Sequence, residues 1–303
     1  MRIFRIAAIL ALFVLPAGSW AEISSADLPN TSKWYFHADF EEMRSTEAGQ
    51  QLYGWLQDEV FDDIREDVGI DFDKEADFLT AFATDAGGLV VLIDGNISQK
   101  TQDKLLAMGA ASGGLDKLES GGRTYYHVKG GGEKDLDIDI ESFENGAFVS
   151  FAIKNKLLVT SSRESMQGLL ADKGRVTGIR SGKGAMFVLS AERSLMQAGA
   201  NTGNLGGGVD WDSNILRNTE HAAILIADKA GKIAVEVQLV TKEKEMADSL
   251  ASIVRGLISL QVFNDDLDPE IASFLQNTSV DVNDNRLTVK VALDPDMVVA
   301  ALD

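Results

Sequence analysis

One order of elements occurs twice in this sequence, and that duplication constrains the fold more than any single motif does. Thr80-Ala81-Phe82-Ala83-Thr84, a turn at Asp85-Ala86-Gly87, and Gly88 to Asp94 (GLVVLID) read as strand, glycine turn, strand. Ala223 to Val240 (AILIADKAGKIAVEVQLV) read the same way. Setting Gly87 on Gly231, an offset of 144 residues, also sets Leu89 on Ile233, Val91 on Val235 and Ile93 on Val237. Both copies then turn helical. Gln99 to Met108 carries Leu105, Leu106 and Met108, while Met246, Leu250, Ile253, Val254 and Leu257 recur at the three-to-four spacing of an amphipathic helix.

A second hairpin closes each copy. Phe148 to Ile153, the turn Lys154-Asn155-Lys156 and Leu157 to Thr160 form one; Val280 to Val282, the turn Asn283-Asp284-Asn285 and Leu287 to Val291 form the other. Each leads into a capped helix. Ser161 with Glu164 reads as a capping box, and Asp294-Pro295 as an N-cap with proline at the first helical position. Each copy also opens with a strand, Trp34 to Asp39 and Ala185 to Ser190, followed by a helix. The expected class is therefore α+β: mainly antiparallel sheets with helices on one face, in two tandem repeats of a strand-helix-hairpin-helix-hairpin-helix unit. The first repeat takes residues 22–178 and the second 179–303, joined through the Gly- and Ser-rich Gly174 to Gly184. The first copy carries an extra acidic helical stretch with Leu52, Trp55, Leu56, Val60 and Ile64 as its apolar stripe, and a glycine-rich excursion from Ser112 to Glu144. The second carries a glycine-rich loop from Gly199 to Asn214.

Residues 1–21 read as an export signal. Arg2 and Arg5 precede an unbroken apolar run from Ile6 to Leu15, Pro16 and Gly18 end it, and Ser19-Trp20-Ala21 supplies small residues for cleavage between Ala21 and Glu22. That run is shorter than the ~20 residues of a membrane span, and Glu22 stands where a lipid anchor would need cysteine. The expected location is periplasmic or secreted, with no membrane span after cleavage. Without the signal, 26 basic face 47 acidic residues, a formal charge of -21. Such an acid excess argues against a nucleic-acid groove, which needs clustered Lys and Arg. The chain has no cysteine, which excludes thiol catalysis and thiolate metal sites.

The layout, with its signal and the strand-then-helix opening Trp34-Tyr35-Phe36-His37-Ala38-Asp39-Phe40, resembles secreted bacterial proteins grouped as a domain of unknown function. That resemblance implies export and a repeated α+β unit; it implies no active-site residues.

Histidine occurs only at 37, 127 and 221, in or beside predicted strands, and neither a G-x-S-x-G elbow nor an H-E-x-x-H helix accompanies them. Gly178 to Gly184 mimics a phosphate loop but is one residue short, lacks the magnesium-binding hydroxyl and precedes a strand. Asp135, Asp137, Asp139 and Glu141 alternate with aliphatics, so all four acids share one strand face. They could offer oxygen ligands to calcium, but an extended strand spreads them ~7 Å apart, and a charged face that deters edge pairing is the favoured reading. Asp210 to Asn214 starts like an EF-hand loop and then departs from it, while Asn264 to Pro269 reads as a helix cap.

No catalytic residue, cofactor or metal is expected. The functional expectation is an exported, non-catalytic envelope or secreted protein that binds or scaffolds a protein, a polymer or an apolar small molecule. Two alternatives stand beside it: a periplasmic carrier of a lipid-like ligand lined by the helices at 99–108 and 246–260, and a hydrolase that uses carboxylates or a divalent ion.

Overall fold

The computed structural model describes residues 32–84, 88–111, 113–129, 146–175, 185–192, 219–262, 275 and 278–302. The described residues fall into two compact units, an N-terminal one of Ser25–Glu41 and Gly54–Arg180 and a C-terminal one of Glu42–Tyr53 and Ser181–Asp303. Each is α+β, and every strand pairing within it is antiparallel.

The N-terminal unit contains β1 (Ser32–Asp39), β2 (Phe78–Thr84), β3 (Leu89–Asp94), β4 (Leu115–Ser120), β5 (Arg123–Val128), β6 (Ala147–Ser150) and β7 (Lys156–Thr160), in the spatial order β1-β2-β3-β7-β6-β5-β4. After β1 the chain runs through α1 (Phe40–Ser45) and α2 (Glu47–Leu56), of which Glu42–Tyr53 belongs to the C-terminal unit, and continues in the N-terminal unit with a π-helical turn (Gln57–Phe61), α3 (Asp62–Asp67) and α4 (Phe72–Glu75). Leu52 and Leu56 of the predicted stripe are buried, and so is Phe61, which the stripe did not include. Phe61 stacks on Phe72 at 4.7 Å, and Phe40 meets both rings edge-on at 5.3 and 5.7 Å. Edge-to-face contacts of this kind add to the area buried.

Two helices follow hairpins in this unit: α5 (Gln99–Ala111) after β3 and α6 (Arg163–Ala171) after β7. They correct the expectation of helices on one face. Gly109 of α5 packs against Val128 and Leu115, whereas Gln167 of α6 hydrogen-bonds the Tyr125 hydroxyl at 3.2 Å. Tyr125 and Val128 are an odd number of positions apart on β5, so the two helices cover opposite faces. The strands allow it because both faces are apolar, with Tyr126, Val128 and Val149 on one and Tyr125 and Phe148 on the other.

The C-terminal unit contains β8 (Ala185–Glu192), β9 (Thr219–Lys229), β10 (Lys232–Thr241), β11 (Ser279–Asn283) and β12 (Arg286–Leu293), in the order β8-β9-β10-β12-β11. The β9–β10 hairpin closes through Ala230 and Gly231, both at positive φ (54° and 78°). That is the two-residue geometry whose twist matches paired strands. Helix α7 (Lys244–Val262) follows β10, and α8 (Pro295–Leu302) follows β12. Leu250 and Ala251 of α7 are buried against Val280 and Leu287, with Met246, Val254, Ile258 and Val289 packed around them.

Local differences from the sequence reading have physical causes. Helix α6 is capped by Ser162, whose hydroxyl accepts from the Ser165 amide at 3.1 Å, and not by Ser161. The Ser161 hydroxyl is used across the sheet, where it accepts from the Leu89 amide at 2.8 Å. The excursion after residue 112 contains a hairpin, β4–β5, turned at Gly121-Gly122. Gly121 and Gly122 are therefore turn residues between paired strands.

Candidate functional site

The three histidines sit on strands, as the sequence placed them. His37, on β1, is 6% exposed; its Nδ1 lies 2.9 Å from the Thr80 hydroxyl and its ring stacks between Tyr35 and Phe78. Burial lowers its pKa from 6.5 to about 4, so the imidazole is neutral at physiological pH. The same enclosure raises the Tyr35 phenol above its ordinary range. His127, on β5, stacks on Phe148 at 4.5 Å, and the Arg163 guanidinium lies 6.0 Å from that ring. His221, on β9, is lowered by burial first and then by the positive charge of Arg286. His37 and His127 do not converge, since β2, β3, β7 and β6 lie between their strands. Among the described residues no three His, Asp or Glu side chains gather as metal ligands.

Several sequence candidates lie outside the described residues: Ala21 and Glu22 at the cleavage position, Asp135, Asp137, Asp139 and Glu141, the loops at 178–184 and 199–214, and Asn264 to Pro269.

Two carboxylates, Glu75 and Glu236, are buried among the described residues. Glu75 is 7% exposed. Its Oε1 accepts from the Ser98 amide at 3.2 Å and the Thr101 hydroxyl at 2.9 Å, while Oε2 is buried with no hydrogen-bond partner. A negative group there meets the positive end of α5, which favours it. Glu236, in the middle of β10, is fully buried. Its Oε1 accepts from Gln238 Nε2 at 2.6 Å, and its Oε2, which takes no hydrogen bond, faces the Lys290 ammonium on β12 at 3.3 Å.

Among the described residues the exposed large apolar side chains are Ile253, Leu257 and Leu260, at 50%, 54% and 71% exposure, and all three belong to α7. At 100° per residue they fall within a 60° arc, adjoining the arc of Leu250, Val254, Ala251 and Ile258 that packs on the sheet. The apolar positions thus occupy about half the helix circumference, wider than the ~100° stripe a surface helix needs. Residues 249–262 hold no acid and one base, Arg255, in a chain with 47 acidic residues. Arg255 is engaged locally, donating to the Val280 carbonyl.

No family model matches the chain, and no curated protein does. Solved structures of a protein titled TP0453 align over most of its length. Crystal form IV aligns with a TM-score of 0.46 and 10% identity, covering 95% of this chain and 100% of that one. Crystal form I aligns with a TM-score of 0.42 and 10% identity, covering 93% and 98%.

The α7 face was half legible in the sequence. Ile253 and Leu257 recur at core spacing and read as core, yet both are about half exposed. The signal that separates the two is the acid-free stretch from 249 to 262, which a purely structural surface helix of so acidic a chain does not need. Glu236 and Gln238 alternate with Val235, Val237 and Leu239 and so read as solvent-facing positions of a half-buried strand. Their burial is a tertiary fact without a local signature.

Proposed function

We propose that this chain is an exported, non-catalytic binding or scaffold protein of the bacterial envelope or its surroundings, made of two like-built α+β repeats, that docks on a partner protein through the outer face of α7. The observation that carries the reading is the collection of exposed large apolar side chains on that one helix face. A helix laid into an apolar groove anchors through positions spaced like Ile253, Leu257 and Leu260.

Charge favours a protein over a lipid surface. Anionic bilayers attract helices with Lys and Arg along the polar face, whereas the polar side of α7 has only Lys244, paired with Asp248, and Arg255, tied to Val280, in a chain of net charge -19. The repeat reading is supported by the sheet orders: opening strand, first hairpin and second hairpin run β1-β2-β3-β7-β6 in one unit and β8-β9-β10-β12-β11 in the other. The non-catalytic reading is supported by the use of the histidines: His37 is enclosed by Thr80, Tyr35 and Phe78, and His127 by Phe148. The inner residues of α7, Met246, Leu250, Val254 and Ile258, pack on the sheet as core.

The test has two parts. N-terminal sequencing of chain recovered from an envelope fraction is expected to read from Glu22. Proximity cross-linking in the producing cell should then give an adduct that I253S/L257S/L260S loses. An adduct that survives this triple substitution rejects the α7 face.

A further inference from the structure

The two units pair their strands in the same order, and this raises a folding problem that the side chains address. In each unit the second strand of the first hairpin lies against the second strand of the second hairpin: β3 against β7, and β10 against β12. On one face the paired residues are interchangeable. Val91 meets Val159 in one unit, and Val235 meets Val291 and Val237 meets Val289 in the other. Those valines would accept the wrong strand as readily as the right one, so β3 could pair with β12 and β10 with β7.

The opposite face differs. Leu92 lies across from Leu158, at 2% and 0% exposure, whereas the corresponding pair in the C-terminal unit is Glu236 across from Lys290. Glu236 is as buried as the leucines, and the Lys290 side chain is 15% exposed. One pair further along, Asp94 forms an ion pair with Lys156, while Gln238 lies across from Thr288.

Exchanged strands would set Glu236 against Leu158 and Leu92 against Lys290, burying two charges without partners, and would also separate Asp94 from Lys156. A buried ion pair seldom adds stability over an apolar pair of similar volume, but breaking one by removing a partner is strongly destabilising. The Leu92–Leu158 pair demonstrates that an apolar pair fills this place in the sheet. We propose that the Glu236–Lys290 pair is a pairing code: it directs β10 to β12 and excludes the cross-unit exchange that two like-built halves invite. Gln238 holds Glu236 toward its partner by donating to Oε1. The inference rests on the observed registers and is independent of export and of the α7 face.

The absence of cysteine makes the test direct. In the full-length chain, Val91→Cys with Val291→Cys reports exchanged pairing, and Val235→Cys with Val291→Cys reports native pairing, each by disulfide formation during oxidative refolding and peptide mapping. With Glu236 and Lys290 in place, the 91–291 disulfide is expected to be a minor product. In E236L/K290L it should rise by on the order of tenfold or more relative to the native cross-link, because the buried-charge part of the penalty on exchange is removed and only the Asp94–Lys156 separation remains. The reversed pair, E236K/K290E, should bring it back to the original level. The proposal is overturned if E236L/K290L shows no rise, if the reversed pair behaves like the apolar one, or if E236L/K290L fails to fold, since the ion pair would then be a stability element.

Discussion

Acidification should weaken this protein through one enclosed imidazole. His37 has a pKa of about 4 in the folded chain against 6.5 when unfolded, caused by burial between Tyr35, Phe78 and Thr80. Because the folded pKa is the lower one, the unfolded chain takes up the proton first as pH falls. Stability is therefore unaffected above about pH 6.5, declines between pH 6.5 and pH 4, and levels off below that. One pKa unit corresponds to 1.36 kcal/mol, so His37 removes roughly 2 kcal/mol between pH 7 and pH 5, and about 3 kcal/mol across the whole window. The assay is urea unfolding followed by tryptophan fluorescence at both pH values, for the native chain and for H37Q. Carboxylates titrate alike in the two chains, so the difference isolates the imidazole. H37Q should lose about 2 kcal/mol less than the native chain on going from pH 7 to pH 5. Equal losses in the two chains would refute the enclosure of His37.

Two further substitutions probe the N-terminal unit. Gly95 sits at φ 154° with the Glu75 carbonyl oxygen 2.1 Å from where a Cβ would be, so G95A forces the backbone apart and should cost about 2 kcal/mol or more in chemical denaturation. Removing the Glu75 carboxylate leaves the Ser98 amide without its acceptor and takes from the Thr101 hydroxyl its 2.9 Å bond. E75A should therefore cost about 3 kcal/mol and raise amide exchange in the first turn of α5, while an unchanged melting temperature would contradict the role assigned to Glu75.

The strands and hairpins were legible because their apolar residues alternate or run together between turn residues, as in Leu89 to Asp94 and Lys232 to Thr241. The long helix α7 was legible from its periodicity, and the start of α8 from Asp294-Pro295. What escaped was decided between elements. By sequence Ser161 is the better cap, because Glu164 completes its box, but the Leu89 amide engages the Ser161 hydroxyl and Ser162 caps the helix. The β4–β5 hairpin was hidden by the glycines at its turn and by the charged Asp116, Lys117 and Glu119 along an edge strand. Glu236 reads as an exposed strand position until Lys290 is brought across from it by the fold. At the candidate site the sequence supplied the apolar residues but not which of them the sheet covers, because period alone cannot measure the width of the surface beneath a helix.

The measurement that reaches the functional claim most directly is site-specific photo-cross-linking in the producing cell. A photoreactive side chain replaces either Leu257, on the apolar face, or Asp248, which is also exposed on α7 but lies outside that face. The account predicts a discrete protein adduct from position 257 and none from position 248. Adducts of equal yield from both positions, or none from 257, would contradict it.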